Sequence, residues 1–425
     1  MAALLGLALT ATACGGDAGG GEGGGGDGPV VLRFSWWGSD SRHEYTQKLI
    51  DQYEAANPGV TIEPEFTGWS EYWDRLATIT AGGEPPDVMQ QETRYIREYA
   101  DRGALLDLNE YVPDVLDTSN LDQSVLPSGQ IEGATYAIPT GINARTVIVD
   151  PQAFAQAGIP VPDDTTWTWD QMIDTAAQVT TATGGEVYGM DELGFNDINF
   201  EIFARQRGQA LFTEDGALGF DRQTIVDFLT LAVQAGDAGA TPPASVSVEI
   251  QAAGIDRALL STNDGAIGFW WTNELPTLSA NAGRELELMR FPRESTQQES
   301  AMYYKPAMFW SASSTTEHPE EAAKFIDYLV NAPEAAELLL SDRGLPVNTQ
   351  LREQILDQLE PADRQSAAFL AEIESEVQAP PPVPPQGAGE VHQILERLHE
   401  QILFDQLTVE QAADQFMEQV RSAIA

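Results

Sequence analysis

The chain has 425 residues, 42% of them hydrophobic, which is enough for two domains of ordinary size that each bury a core. It carries 66 acidic and 22 basic residues, a formal net charge of −44 at pH 7. Because binding to nucleic acid needs a basic surface that displaces phosphate counterions, this charge excludes nucleic acid as a partner.

The only cysteine of the sequence, Cys14, lies between an apolar stretch and a glycine-rich one. A lone cysteine forms no internal disulfide, and without neighbouring Cys and His it predicts no zinc site. Residues 2–13 are apolar but shorter than the roughly 20 residues of a membrane-spanning helix, and they are typical of the end of a secretion signal. Thr12 and Ala13 before Cys14 resemble a bacterial lipobox, which implies a signal sequence over residues 1–14 and lipidation of Cys14.

Residues 15–28 are glycine apart from Asp17, Ala18, Glu22 and Asp27. Such a segment behaves as a random coil with a reach of about 20 Å. We therefore expect a flexible tether that holds the following domains at the outer face of the cell membrane.

The chain that follows alternates between strand and helix patterns. Residues 30–35 alternate as in a strand, and Tyr45, Leu49 and Tyr53 recur at helical spacing until Asn57-Pro58-Gly59. VTIEPEF predicts a second strand, GWSEYWDRLATITAGG a helix, and PPDVMQQ a third strand. This alternation predicts an α/β fold with mainly parallel sheets flanked by helices.

Two later segments are also distinctive. The run Pro380-Pro381-Pro382-Val383-Pro384-Pro385 predicts a stiff polyproline II loop. The stretch from Val391 to Ala425 is helical by pattern, and we expect it to close the fold.

Nine segments in order carry a family resemblance over most of residues 29–425, among them WWGSDSRH, YEAANPGV, GATYAIPTG and FWWTNEL. The chain resembles the extracellular solute-binding proteins, family 1, of carbohydrate ABC transporters. The resemblance implies a two-lobed periplasmic-binding-protein-like fold with three hinge crossovers, which we place at residues 137–143, 290–293 and 344–348. One lobe then comprises 29–139 and 290–348, and the other 140–289 and 349–425.

This resemblance also implies a function. The protein would bind a sugar or oligosaccharide outside the membrane, close its lobes on it and deliver it to an ABC-type permease. We expect a monomer with no cofactor, no metal and no catalytic activity.

The candidate binding residues follow from the position of sites in open α/β sheets, outside the carboxyl ends of the strands. A sugar requires aromatic platforms and polar groups at their rim. Trp271, beside hydrogen-bonding residues and after a strand-like run, is our candidate for the principal platform. The resemblance adds Asn196 and His392. The full set is Trp37, Ser39, Asp40, Arg42, His43, Gln91, Glu92, Asn143, Asn196, Trp270, Trp271, Asn273 and His392.

Several other aromatic residues lie on predicted helices or at helix starts, where packing is the more common role. This interpretation applies to Trp69, Tyr72, Trp73, Trp167 and Trp169.

The nature of the sugar stays open between two classes. Arg42 and His43 after WWG are similar to family members that bind oligogalacturonide or rhamnogalacturonan fragments, where a guanidinium could pair with a uronate carboxylate. The net charge repels anions at long range, although salt screens that repulsion. We favour a neutral or mixed oligosaccharide and keep the uronate as the alternative.

Two rival functions belong to other classes. A secreted glycoside hydrolase would use paired carboxylates, but among 66 acidic residues any spacing arises by chance, and GxSxG, HExxH and P-loop motifs are absent from the sequence. A surface glycan-binding protein would recognise sugar and deliver nothing. A cleavage assay identifies the hydrolase, and a lack of lobe closure identifies the surface protein.

Overall fold

The computed structural model describes residues 29–295 and 299–425, so that Cys14 and the predicted tether lie outside the described residues. Short strands form two main sheets. In chain order the strands are β1 (Val30–Trp37), β2 (Val60–Thr67), β3 (Val88–Gln91), β4 (Gln130–Ile131), β5 (Ala134–Thr135), β6 (Ile138–Pro139), β7 (Gly141–Val149), β8 (Tyr188–Met190), β9 (Gly265–Trp271), β10 (Glu287–Met289), β11 (Tyr304–Pro306), β12 (Phe309–Ala312) and β13 (Leu345–Pro346).

Helices cover these sheets. They are α1 (Asp40–Ala56), α2 (Trp69–Ala81), α3 (Thr93–Asp101), α4 (Pro151–Ala157), α5 (Trp169–Ala182), α6 (Asp197–Gln206), α7 (Arg222–Asp237), α8 (Ala244–Ala253), α9 (Leu259–Thr262), α10 (Leu275–Ala282), α11 (Pro319–Asn331), α12 (Pro333–Leu339), α13 (Thr349–Ile355), α14 (Pro361–Ile373), α15 (Val391–Leu403) and α16 (Val409–Ala423). Within the described residues, no helix combines the length and the apolar composition needed to cross a membrane.

The first lobe is built on the sheet β2-β1-β3-β12-β6. β1 pairs in parallel with β2 and β3, as the alternating pattern predicted, and β12 lies antiparallel to β3. Leu32, Phe34 and Trp36 are buried at alternate positions of β1. The Phe34 ring packs edge-on against Trp310 at 5.2 Å and Phe325 at 5.0 Å, so the strand is held against residues far away in sequence.

The second lobe is built on β10-β7-β9-β8, with β11 and β13 also pairing with β7. Every residue of β7 is buried, which makes it the central strand. β9 runs antiparallel to it, in a register that sets Arg145 opposite Trp271. Both sheets are mixed, whereas the sequence predicted mainly parallel ones. Strands such as β12 enter a lobe after a crossing from the other lobe, and their direction is not fixed by a local β-α-β unit.

The crossings lie close to prolines and glycines. The chain leaves the first sheet after β6 and enters the second at Gly141. It returns between β11, which pairs with β7, and β12, which pairs with β3, whereas residues 290–293 lie between β10 and β11, which both pair with β7. β13 pairs with β7 again. The three hinge segments stay predictions.

The C-terminal stretch forms two helices, α15 and α16, and not one continuous helix. Asp405 adopts a φ of 56°, which breaks the first helix after Leu403. Thr408 then begins α16 with a capping box, in which its side chain accepts from Gln411 and the Gln411 side chain returns to its backbone. Leu395 and Leu398 of α15 and Phe416 of α16 are buried in the core.

Candidate functional site

Two adjoining cavities lie at the carboxyl end of β9 and share the residues Asn196, Trp271 and His392. The second-lobe cavity has a volume of about 440 Å³ and is lined by residues of that lobe, Arg145 and Asp191 among them. The interlobe cavity, about 370 Å³, is lined by Glu92 and Arg94 of the first lobe as well as by second-lobe residues. We call the two together the cleft.

Trp271 ends β9 and is half-buried between the two cavities. Its backbone N donates to Glu274 Oε2 at 2.8 Å, which fixes the turn that follows the strand. Two cations lie over its ring: Arg145 Cζ is 5.6 Å and Lys305 Nζ is 5.2 Å from the ring centroid. The indole is therefore positioned by its strand, its turn and both cations.

Trp270 lines the second-lobe cavity and donates a hydrogen bond to Asp191, an acid of the same cavity. Its Nε1 donates to Asp191 Oδ2 at 3.1 Å, and burial raises the pKa of Asp191 to about 7. Gly268 permits this contact, since a Cβ there would lie 2.6 Å from the Asp191 oxygen and 2.7 Å from the indole nitrogen. A larger residue would push the two side chains apart.

The start of α6 contributes polar groups to both cavities. Asn196 caps the helix, its side chain accepting from the Ile198 backbone N at 3.0 Å. Asp197 Oδ1 lies 3.1 Å from His392 Nδ1, at the start of α15. The hydrogen bond with Asp197, reinforced by that charge, raises the pKa of His392 in spite of partial burial.

Glu92 is the acidic residue of the first-lobe wall. It follows β3 and caps α3, with Oε2 accepting from Arg94 N at 2.9 Å and from Arg94 Nε at 3.0 Å. Lys305 Nζ lies 3.6 Å from its other oxygen. Burial acts to raise the pKa of Glu92, but the charges of Lys305 and Arg94 outweigh it and hold that pKa below its usual value.

Glu201 of α6 is a second buried acid in the wall of the interlobe cavity. Its Oε2 accepts from the Tyr303 hydroxyl at 3.3 Å, while Oε1 has no hydrogen-bond partner within the described part of the chain. Burial raises the pKa of Glu201 to about 7. The group can therefore accept or donate a hydrogen bond near neutral pH.

The proline-rich loop forms one rim of the interlobe cavity and reaches the first lobe. Pro380, Pro381, Pro382 and Pro384 line the cavity. Val383 is buried in the same apolar cluster as Trp37, Tyr72 and Trp73, and Arg97 Nη2 donates to its carbonyl at 3.1 Å. The loop thus links the two lobes.

The predicted residues of the WWGSDSRH segment do not line either cavity. Arg42 Nε donates to Asp342 Oδ2 at 2.8 Å and Nη2 to the Asp342 carbonyl at 3.1 Å, so its guanidinium already has a carboxylate partner. His43 Nδ1 accepts from Trp36 Nε1 at 3.0 Å, and its ring stacks on Phe66 at 4.3 Å. Ser39 caps α1, and Asp40 is exposed on its first turn.

Of the whole predicted set, the structure brings five residues together in the cleft: Glu92, Asn196, Trp270, Trp271 and His392. Gln91 and Asn143 are buried in strands, Trp37 is 6% exposed, and Asn273 is exposed beyond β9.

The sequence predicted that Trp69 packs against other residues in the interior, but the structure leaves its side chain exposed. As the first residue of α2 it is 39% exposed, with its ring edge-on to Trp37 at 4.9 Å and Arg94 Cζ 5.8 Å from the ring centroid. Trp69 therefore lies next to Arg94, which lines the interlobe cavity, although Trp69 itself is not part of the cavity wall. Tyr72, Trp73, Trp167 and Trp169 are buried, as the sequence predicted.

Sequence reasoning missed Arg145, Lys305, Asp197 and Glu201. A signal for Arg145 was present: it is the one charged residue in GINARTVIV, a strand buried on both faces. A buried charge inside an apolar strand is costly and therefore marks a functional position.

Comparison with known proteins identifies related chains. The sequence model described as "Bacterial extracellular solute-binding protein" matches residues 39–336. A solved extracellular solute-binding protein family 1 from Alicyclobacillus acidocaldarius is 30% identical, with a TM-score of 0.79 over 94% of this chain and 99% of that one.

Two further relatives are more distant. A periplasmic oligogalacturonide-binding protein from Yersinia enterocolitica has the same fold, with 23% identity and a TM-score of 0.81 over 93% of this chain and 100% of that one. The curated putative ABC transporter periplasmic-binding protein YcjN of Escherichia coli is 23% identical over 321 residues, 72% of this chain and 70% of its own.

Proposed function

Because the chain belongs to the bacterial extracellular solute-binding protein family, we propose that it captures a sugar or oligosaccharide outside the membrane and delivers it to an ABC-type permease. The observation that carries this proposal is the half-buried Trp271 between two cavities that both contain polar side chains. Relatives support it, since a solved protein with the same fold is described as a periplasmic oligogalacturonide-binding protein, and a relative in sequence is named a putative ABC transporter periplasmic-binding protein.

The cleft has the chemistry that a sugar needs. The C–H face of a pyranose stacks on an aromatic ring, and its hydroxyls exchange hydrogen bonds with carboxylates, amides and cations. Trp271 supplies the ring, while Asn196, Glu201 and His392 supply donors and acceptors within the same walls. A small set of polar groups around an aromatic platform fixes orientation as well as affinity.

A second ring favours an oligosaccharide over a single sugar. Trp69 is exposed beside Arg94 on the first lobe, whereas Trp271 belongs to the second. A ligand with several units can stack on both rings and contact both lobes. We therefore assign Trp69 the role of an outer platform.

Binding would close the lobes around the ligand. A ligand shifts the balance between open and closed forms only by its preference for the closed one, and contacts to both walls provide that preference. The Lys305 and Glu92 ion pair and the Val383 contact join the lobes in the closed form. Closure gives the permease a means to distinguish loaded from empty receptor.

We propose further that the protein is a monomer anchored to the outer face of the membrane by a lipid on Cys14. The lipobox-like sequence and the glycine-rich residues 15–28 support this. A flexible tether keeps the receptor near its permease while it exchanges ligand.

Titration of a glycan panel tests the proposal. Thermal shift with neutral and uronic oligosaccharides should show stabilisation by a subset, about 2.7 kcal/mol when the ligand is present at 100 times its Kd. Small-angle scattering should then show compaction by the same ligands. Lack of any stabilisation would overturn the sugar proposal, and stabilisation without compaction would favour a surface glycan-binding protein.

The same panel tests for hydrolysis. The protein is incubated with each bound oligosaccharide, and the products are separated by chromatography. We expect intact oligosaccharide, since the family is a substrate-binding one. Release of shorter sugars would show a hydrolase.

A further inference from the structure

Arg145 is a buried arginine with no acidic partner. Its residue is 7% exposed, Nε donates to Asn199 Oδ1 at 3.3 Å, and across residues 29–295 and 299–425 no carboxylate forms an ion pair with it. Arg290, which is 4% exposed, instead pairs with Asp164, Glu372 and Glu376. A guanidinium that lacks such partners is costly to bury.

The carboxylates around Arg145 are already engaged by other donors. Asp191 accepts from Trp270, Glu274 from the Trp271 backbone, and Asp197 bonds with His392. Burial lowers the pKa of Arg145 while these three acids raise it from a longer distance. Because the group stays protonated at neutral pH, its charge is present in the empty site.

This charge lies where a ligand would bind. Arg145 lines the second-lobe cavity and is opposite Trp271 in the strand register. Lys305 is the second cation at that ring, and it forms an ion pair with Glu92, with Nζ 3.6 Å from Oε1. Of the two cations over the Trp271 ring, Arg145 is therefore the one that has no ion-pair partner among the described residues.

We propose that Arg145 binds a carboxylate of the sugar ligand, so that the cleft selects acidic sugars over neutral ones. The planar fork of a guanidinium matches a carboxylate with two parallel hydrogen bonds, and a ligand carboxylate completes the pairing that the protein leaves open. This inference rests on the proposed sugar-binding function and names the ligand class.

The other candidate arginines do not fit this role. Arg42, which the family resemblance suggested, is held by Asp342. Arg343 is also buried without an acidic partner among the described residues, but it lies between the rings of Tyr45 and Trp310 and lines neither cavity of the cleft. The net charge of −44 opposes an anion only at long range, because the screening length is about 8 Å at physiological salt.

Isothermal titration with matched probes tests the proposal. The probes are α-1,4-digalacturonate, its methyl ester and α-1,4-galactobiose, with sialyllactose as an acidic sugar of another type. We expect the free acid to bind about 30-fold or more tightly than its ester, because the ester leaves the buried Arg145 charge unpaired. With lactose as a further neutral probe, a preference for sialyllactose over lactose would assign the carboxylate to a nonulosonate instead of a uronate.

Variants locate the contact. Arg145→Gln should reduce affinity for the acid by a much larger factor than affinity for the neutral probes, so that the preference for the acid is lost, and Arg145→Lys should restore part of that preference. Arg222→Gln is the matched control, because Arg222 is exposed, pairs with Asp414 and lies outside the cleft. Arg42→Gln should likewise keep the preference. Melting temperatures establish that each variant is folded.

Four outcomes overturn the inference. Equal affinity of wild type for acid and ester would do so without any variant, even if Arg145→Gln fails to fold. Equal loss of acid and neutral binding in Arg145→Gln would give that residue a structural role only. Tight binding of neutral oligosaccharides alone would leave the proposed function intact, whereas failure of every carbohydrate would remove both.

Discussion

Lys305 and Glu92 form an ion pair across the cleft, with Nζ 3.6 Å from Oε1. Lys305 lies on β11, which pairs with the second sheet, while Glu92 caps α3 of the first lobe. We expect the pair to break when the lobes separate, so it should stabilise the closed form. Because Lys305 is about one-third exposed, we expect a contribution of about 1 kcal/mol or less.

A double-mutant cycle measures this pair. Lys305→Met and Glu92→Gln should each weaken ligand binding. The double variant should lose less binding free energy than the sum of the two single losses, and the difference, the coupling energy, should be about 0.5–1 kcal/mol. The exposed pair of Arg222 and Asp414, within the second lobe, serves as a control that should leave affinity unchanged. Strict additivity would show that the cleft pair does not contribute to closure.

Substitution of the two candidate platforms should separate their roles. Trp271→Ala is expected to weaken binding of every sugar ligand by about 2 kcal/mol or more, because it removes the central ring of the cleft. Trp69→Ala should weaken only longer oligosaccharides, since that ring lies at the exposed outer edge. Calorimetry with di- and tetrasaccharides checks both. A collapse of the melting temperature with unchanged affinity would make Trp271 a core residue.

The sequence predicted the local elements well because their signals are local. Alternation over residues 30–35 gave β1, the Asn57-Pro58-Gly59 stop gave the end of α1, and the run before Trp271 gave β9. Glu92, Trp270 and Trp271 were found because residues after strand ends meet at one edge of a sheet. Asn196 and His392 came from the family resemblance.

What the sequence did not predict depends on contacts between distant segments. Arg42 was predicted to face the ligand, but its guanidinium forms an ion pair with Asp342, which lies 300 positions away in the sequence. Trp69 was expected to pack because it starts a helix, yet its place at the first turn leaves it exposed. The Lys305 and Glu92 pair likewise joins β11 to the start of α3, two elements that only the crossings bring together.

Cys14→Ser should release the protein from the membrane fraction. The lipid is the proposed anchor, and a serine cannot form the thioether. Fractionation of cells that express wild type and variant checks this, and the affinity of the soluble domain should not change. Retention of the variant in the membrane would rule out the lipobox interpretation.

Asp191 should give the protein a stability that depends on pH. Burial raises its pKa from an ordinary 3.8 to about 7. Between these values the folded chain binds a proton that the unfolded chain does not, so the free energy of unfolding falls as pH rises from about 4 to 7.

Asp191→Asn removes this titration and keeps an oxygen that accepts from Trp270. Between about pH 4 and 7 the variant should therefore lose less stability than wild type. Its melting temperature, plotted against pH, should give a flatter curve. Asp40→Asn, at an exposed position of α1, should keep the slope of the wild type. Identical slopes for Asp191→Asn and wild type would show that Asp191 is ionised in the folded protein.

Val383 should control closure without touching the ligand. Its side chain, 3% exposed, lies in the apolar cluster of the first lobe, although its loop is followed directly by α15 of the second. We expect the Val383 contact to break when the lobes separate, so Val383→Ser should favour the open form and weaken the binding of every ligand by a similar factor, about tenfold. Val420→Ser, buried within α16, is the matched control: it should lower stability but not affinity. Scattering from ligand-free Val383→Ser should show a larger radius of gyration than wild type, and an unchanged radius together with unchanged affinity would show that the loop does not hold the lobes together.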